Sequence, residues 1–204
     1  MVAILDYGIG NINSIFNMFK KIGAQAVITS DPDRIQQCDK LILPGVGHFD
    51  YCMQQLRKAP FYELMQEKVL NEKVPVLGVC VGCQMLMESS EEGSETGLGW
   101  IKGKVIRFKT ADIDPPLKVP HMAWTDVHVK NNNKLYNDIA DPRFYFVHSF
   151  HLSCDNQSVV SATANYGYEF TASVQQENIT GVQFHPEKSH KFGMKLYGNF
   201  VNLY

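Results

Sequence analysis

The 204-residue chain predicts a mixed α/β fold, a mainly parallel central sheet flanked by helices, in one domain spanning residues 1–204. Three observations lead there. Short continuous apolar runs alternate with helical periodicity over the first ninety residues, as expected for parallel strands covered on both faces. The second half carries strand-like runs separated by turns, several of them hairpin-like, and helical spacing returns only at the end. No repeat or low-complexity stretch divides the halves, and a chain this long can bury about 70% of its unfolded surface in a single core.

In chain order, Val2-Ala3-Ile4-Leu5 reads as a buried strand and Asp6 to Asn11 as a turn. Ile12, Ile15, Phe16, Phe19 and Ile22 recur at helical spacing, and Gly23 is a helix stop. Ala26 to Ile28 is a second strand. Lys40 to Leu43 is a third, ended by Pro44. A helical stretch from Tyr51 to Asn71 is interrupted at Pro60, and Val74 to Val79 is a fourth strand. Further strands are expected at Lys104–Phe108, Trp124–Val129, Phe144–Val147, Val159–Ala162, Phe170–Val174 and Ile179–Gln183. Phe192, Leu196, Phe200 and Val201 mark a closing helix, and Asp112-Ile113-Asp114-Pro115-Pro116 is the clearest loop.

Composition narrows the function. With 45% hydrophobic and 20% charged residues, the chain is not of the disordered type. No apolar run approaches the roughly 20 residues of a membrane span. The N-terminus meets Asp6 after five residues and has no basic region, which argues against a secretory leader. Nineteen basic against 21 acidic residues argue against a nucleic-acid surface. Five cysteines at irregular spacing (Cys38, Cys52, Cys80, Cys83 and Cys154) read as reduced thiols in a cytoplasmic protein.

One of them stands in a distinctive place. Gly78-Val79-Cys80-Val81-Gly82 forms a G-x-C-x-G pattern where a strand gives way to a helix, the thiol form of a nucleophile elbow. Small residues on either side let backbone approach, the helix N-terminus favours thiolate, and the Val81 amide can face a developing oxyanion. The pattern alone fits a buried cysteine in an ordinary connection equally well. Cys80-Val81-Gly82-Cys83 is also C-x-x-C, but an aromatic residue before the first cysteine and an early βαβ context are missing. Four zinc ligands at useful spacing are missing too.

A thiol nucleophile needs a base and a group to orient it. Among seven histidines, His185 leaves an apolar strand with Glu187 two residues on. On an extended chain these two share a face, and Pro186 stiffens the spacing. A strand-end histidine beside a solvated carboxylate is the plainer alternative. Pro44-Gly45-Val46-Gly47 follows the third strand, on the same expected sheet edge as Cys80, and its glycines suit a second oxyanion donor.

These blocks, in this order, resemble the class I (triad) glutamine amidotransferases over essentially the whole chain, which implies a flavodoxin-like sheet. Within that family the chain looks most like the glutaminase subunits of imidazole glycerol phosphate synthases. The supporting stretches are Asp6 to Asn11, Gly97-Leu98-Gly99-Trp100, Val119 to Trp124 and Phe144 to Ser149. The resemblance implies that Cys80 attacks the glutamine side-chain amide, His185 moves the proton and Glu187 orients His185. Gly47 and Val81 match oxyanion-hole positions. Gln84 and Glu92 match positions that hold glutamine, with the backbone at Ser149 and Phe150 nearby; an acidic Glu92 suits the substrate α-ammonium. Asn11, Trp124 and Lys188 match positions at a subunit interface, although core packing for Trp124 and a solvated charge for Lys188 are the plainer readings.

The implied partner is a (β/α)8-barrel cyclase subunit that receives the ammonia and makes imidazole glycerol phosphate and an aminoimidazole carboxamide ribonucleotide in histidine biosynthesis. No metal or cofactor is implied. The chain departs from the pattern at Ala123 for glycine, Thr125 for asparagine and Phe150 for tyrosine, all away from the triad and toward the partner side. An alternative is therefore a paralogous subunit supplying ammonia to a sugar-modifying enzyme of surface polysaccharide synthesis.

Overall fold

The computed structural model describes residues 1–110, 113, 116–130 and 133–204. Its first half is a run of strand–helix units: β1 (Val2–Leu5), α1 (Ile12–Lys21), β2 (Ala26–Thr29), α2 (Pro32–Gln36), β3 (Lys40–Gly45), α3 (Phe49–Lys58), α4 (Tyr62–Leu70), β4 (Val76–Cys80) and α5 (Val81–Gln84). The second half is strand-rich: β5 (Ser89–Ser90), β6 (Gly103–Arg107), β7 (His121–Val129), β8 (Arg143–His148), β9 (Phe150–Cys154), β10 (Val160–Tyr166), β11 (Tyr168–Gln176) and β12 (Ile179–Val182), closed by α6 (His190–Leu203).

The strands join in the order β2-β1-β3-β4-β12-β11-β10-β7-β8, with β9 and β6 branching from β11 and β5 pairing β6. From β2 to β12 all pairing is parallel; from β12 to β8 it is antiparallel. Strand order reverses between β1 and β3, so the crevice beyond their carboxyl ends is the expected ligand position. The decisive register is between β12 and β4, which pairs Gly181 with Gly78 and Val182 with Val79. Two segments a hundred residues apart thus leave the sheet side by side, one into Cys80 and the other into His185.

The helices form for the reasons their sequences supply. In α1, Ile15, Met18 and Phe19 are buried on one face, Lys20 and Lys21 occupy the last turn, and Gly23 at φ +72° ends the element. The interruption at Pro60 separates α3 from α4 as expected. Leu196, Tyr197 and Phe200 of α6 are fully buried, and the Tyr197 ring lies 4.8 Å from that of Phe19 on α1. These residues join the sheet's apolar side chains in one core cluster.

Several expectations need correction. Pro44 does not end β3, which continues to Gly45 and pairs Pro44 with Val79 and Gly45 with Cys80. Pairing with β1 stops at Ile42, so the missing N–H of Pro44 costs no bond on that side. Helix α2 is only five residues long and too short for a periodic signal. Its start was nonetheless encoded, with Pro32 at the first position and Asp31 accepting the Asp33 N–H at 3.0 Å. Strand β9 was missed because His151 is buried within it and breaks the apolar pattern. The loop at Asp112–Pro116 falls mostly outside the described residues.

Candidate active site

Cys80 ends β4 with φ +55° and ψ −114°, a backbone conformation that costs a non-glycine residue about 1–3 kcal/mol. Such strain persists only where the surroundings impose it, and here close-packed backbone does so. A Cβ on Gly78 would lie 2.6 Å from the Gly82 carbonyl oxygen, and one on Gly82 would lie 2.0 Å from that of Leu43. The glycines flanking Cys80 therefore let α5 start hard against β3 and β4. The result is a sharp strand-to-helix elbow, with the thiol lining a cleft of roughly 420 Å³.

His185 follows β12 and is 2% exposed. Its Nδ1 lies 2.7 Å from Glu187 Oε1, which leaves Nε2 for the cleft that Cys80 also lines. The local backbone differs from the expected extended chain. Pro186–Lys188 form one turn of 3₁₀ helix that folds the Glu187 carboxylate back onto the ring. Burial opposes charge on the His185 ring, yet the Cys80 sulfur, by charge and hydrogen bond, and then Glu187 raise its pKa to about 10. Burial also opposes charge on Glu187, but hydrogen bonding and attraction from His185, helped by Asn11, hold its carboxyl below the usual range.

Asn11 and Lys188 line the cleft together with Val46, Gly47, Val81, Gln84, Glu92, Ser149 and Phe150. Gly47 sits at φ +93°, a conformation that glycine adopts freely. The Gln84 amide nitrogen donates to Phe150 O at 3.2 Å and to Gln183 Oε1 at 3.1 Å, so its carbonyl oxygen remains an acceptor. Glu92 Oε2 accepts the Phe49 N–H at 2.8 Å, which ties the carboxylate to the start of α3. Glu187 stands behind His185 rather than on the cleft wall. Trp124 is also not on the wall; half-buried on β7, it stacks on His190 at 5.6 Å.

Of the five cysteines, only Cys80 lines the cleft. Cys83 is fully buried against Gly181, and burial pushes its thiol well up. Burial also raises Cys52 to about 12 and Cys154 to about 11. The C-x-x-C spacing thus joins one cleft-facing sulfur to one core sulfur, which does not suit a redox pair.

Sequence reasoning overlooked several contributors. Asn11 Nδ2 donates to Glu187 Oε1 at 2.9 Å, although the resemblance gave Asn11 only an interface role. The Tyr7 hydroxyl donates to the Pro44 carbonyl and pins the loop after β1 to β3. His148, Pro120 and Val147 line the cleft as well. Tyr7, Pro120, Val147 and His148 lay inside stretches already singled out, but their side-chain partners are set by strand register.

The glutamine amidotransferase class-I family model matches residues 3–203. The chain is 49% identical over 202 residues to the imidazole glycerol phosphate synthase subunit HisH 2 of Methanococcus maripaludis, covering 98% of each chain. It is 47% identical over 204 residues to the protein of the same name from Pseudomonas aeruginosa, covering all of both. In fold it is similar to a solved glutamine amidotransferase (TM-score 0.75, 20% identity, 99% of this chain and 97% of that one). It is also similar to PurLQS from Thermotoga maritima (TM-score 0.73, 19% identity, with the same coverage). An elbow cysteine, a histidine raised by it, a carboxylate behind the histidine and these full-length likenesses agree: the chain belongs to the class I glutamine amidotransferase family, among the proteins named imidazole glycerol phosphate synthase subunit HisH.

Proposed function

We propose that the chain acts as one domain and is the glutaminase subunit of an imidazole glycerol phosphate synthase, releasing ammonia from glutamine for a cyclase subunit in histidine biosynthesis. The observation that carries this reading is the Cys80–His185–Glu187 array at the carboxyl ends of two adjacent parallel strands. Five free thiols suit a reducing cytoplasm.

With its pKa raised to about 10, His185 already holds the Cys80 proton, and the Cys80 thiolate attacks the side-chain amide carbon of glutamine. The carbonyl oxygen takes up negative charge, which the Gly47 and Val81 amides are assigned to stabilise. His185 then protonates the departing nitrogen, ammonia leaves, and a glutamyl thioester remains on Cys80. In the second half His185 takes a proton from water, the resulting hydroxide displaces the sulfur, glutamate is released and the thiolate is restored. Glu187 keeps the imidazole in the tautomer and orientation both halves require.

Glu92 is assigned to the substrate α-ammonium, and Gln84 with the Ser149–Phe150 backbone to its carboxylate end. Docking of a (β/α)8-barrel cyclase is assigned to the face carrying Asn11, Trp124 and Lys188. Two observations support this: Met122 is 60% exposed beside half-buried Trp124, and Lys188 lies over the Tyr145 ring at 5.8 Å. The polysaccharide alternative gains no support from the relatives' names.

The test is to mix the chain with the cyclase from its own source and supply glutamine and the cyclase substrate. Imidazole glycerol phosphate and glutamate in equal amounts, both lost on Cys80→Ala, are the expected result. Glutamate release that survives Cys80→Ala overturns the nucleophile, and release without imidazole glycerol phosphate overturns the pathway.

A further inference from the structure

Behind the Ser149–Phe150 segment lies a chain of hydrogen bonds that the reaction above does not use. His148 Nδ1 is 2.7 Å from the Phe150 carbonyl oxygen, and His148 Nε2 is 3.1 Å from His121 Nδ1. His121 Nε2 is in turn 2.8 Å from Thr125 Oγ1. The two histidines face each other directly because β7 and β8 pair His121 with His148.

Every proton in this chain follows from chemistry. A carbonyl only accepts, so His148 Nδ1 carries hydrogen. Both rings are neutral, since burial lowers His148 to about 3 and His121 to about 4. His148 Nε2 is therefore an acceptor, and His121 Nδ1 must donate to it. That leaves His121 Nε2 as an acceptor for the Thr125 hydroxyl. The bonds all run one way, from Thr125 to the Phe150 carbonyl. The His121 ring is held in place by stacking on Phe146 at 5.1 Å and on Tyr166 at 4.1 Å.

The end of the chain is a wall of the glutamine cleft. The Phe150 carbonyl accepts from His148 Nδ1 and also from Gln84, while His148, Ser149 and Phe150 line the cleft. The start is half-buried Thr125, one residue beyond Trp124 on the strand that faces the assigned partner. We propose that Thr125 is a positioning residue: through His121 and His148 it fixes the Phe150 carbonyl, and with it the backbone that receives the carboxylate end of glutamine. The proposal rests on the glutaminase reading for its substrate, but the hydrogen-bond chain itself does not.

Two measurements on the full chain test it. Histidine ring ¹⁵N spectra of the unmodified protein should show both His121 and His148 as Nδ1–H tautomers, the less common form in free histidine. An Nε2–H signal from either ring overturns the proposal, whatever reaction the protein catalyses. With its cyclase present, Thr125→Val should raise the KM for glutamine about three- to tenfold, the effect of one neutral hydrogen bond, with kcat nearly unchanged. Thr125→Ser keeps the donor and should restore KM. Equal KM values for the two variants, or a loss confined to kcat, overturn the positioning role. Absence of glutamate release from the unmodified complex overturns the glutaminase reading and leaves the tautomer result to decide the chain.

Discussion

Asn11 occupies the N-cap of α1 yet makes no side-chain cap; its amide reaches Glu187 Oε1 at 2.9 Å instead. Asparagine at this position ordinarily bonds the first turn of its own helix. Here that bond is given up, and a residue near the start of the chain bonds the same carboxylate oxygen as His185 Nδ1 near its end.

Asn11→Ala should therefore lower turnover rather than unfold α1. A hydrogen bond to a charged group contributes about 1.5–3 kcal/mol, so a drop in kcat of roughly ten- to a hundredfold is expected. Asn11 also helps to depress the Glu187 carboxyl, so its removal should move the acid limb of the pH–rate profile upward. A profile unchanged in both height and position contradicts the link.

Glu187→Gln keeps the shape but loses the charge that holds the imidazole tautomer. By analogy with carboxylate-to-amide changes in other triads, kcat should fall by roughly 10²-fold or more while KM for glutamine changes little. Steady-state glutamate release measures it, and near-normal turnover contradicts the orienting role.

Stability should fall at both ends of the pH range, for opposite reasons. His185 has a folded-state pKa of about 10, above its usual 6.5; its contribution is full below 6.5 and disappears as pH rises through 10. His121 and His148 are depressed to about 4 and about 3, so their contribution is full above 6.5 and disappears as pH falls through those values. Denaturant unfolding at pH 4, 7 and 10.5 reads both flanks. Cys80→Ala removes the main group that raises His185 and should flatten the alkaline flank only.

Cys83→Ala should leave kcat and KM for glutamine within about twofold, because the thiol faces the core and not the cleft. Its cost is structural, a small cavity worth roughly 1 kcal/mol at a position with no exposure. Catalytic loss comparable to that of Cys80→Ala would restore the redox reading of the C-x-x-C spacing.

Gly82→Ala tests the elbow itself. The added Cβ would meet the Leu43 carbonyl oxygen at 2.0 Å, backbone that cannot turn aside. A loss of stability of about 3 kcal/mol or more is expected in thermal or denaturant unfolding. A stable, fully active variant would show that β3 and α5 can separate without consequence.

Local pattern was enough to read the parallel half and to mark Cys80, His185 and Glu187 as candidates; most other residues of the cleft came from the family resemblance. The local signals are short-range: apolar runs, glycines two residues either side of a cysteine, a histidine and a carboxylate in step. Local pattern was not enough for β9, where buried His151 hides the strand, nor for the end of β3, since whether Pro44 breaks a ladder depends on which neighbour is still paired there. Tertiary structure alone decided which distant residues meet. The β12–β4 register carried His185 to Cys80, the return of the loop after β1 gave Asn11 to Glu187, and the β7–β8 register set His121 against His148. A sequence states which groups are able to donate, accept or attack; pairing between strands far apart in the chain determines which of them come within three ångströms, because a shift of one residue turns every side chain to the other face.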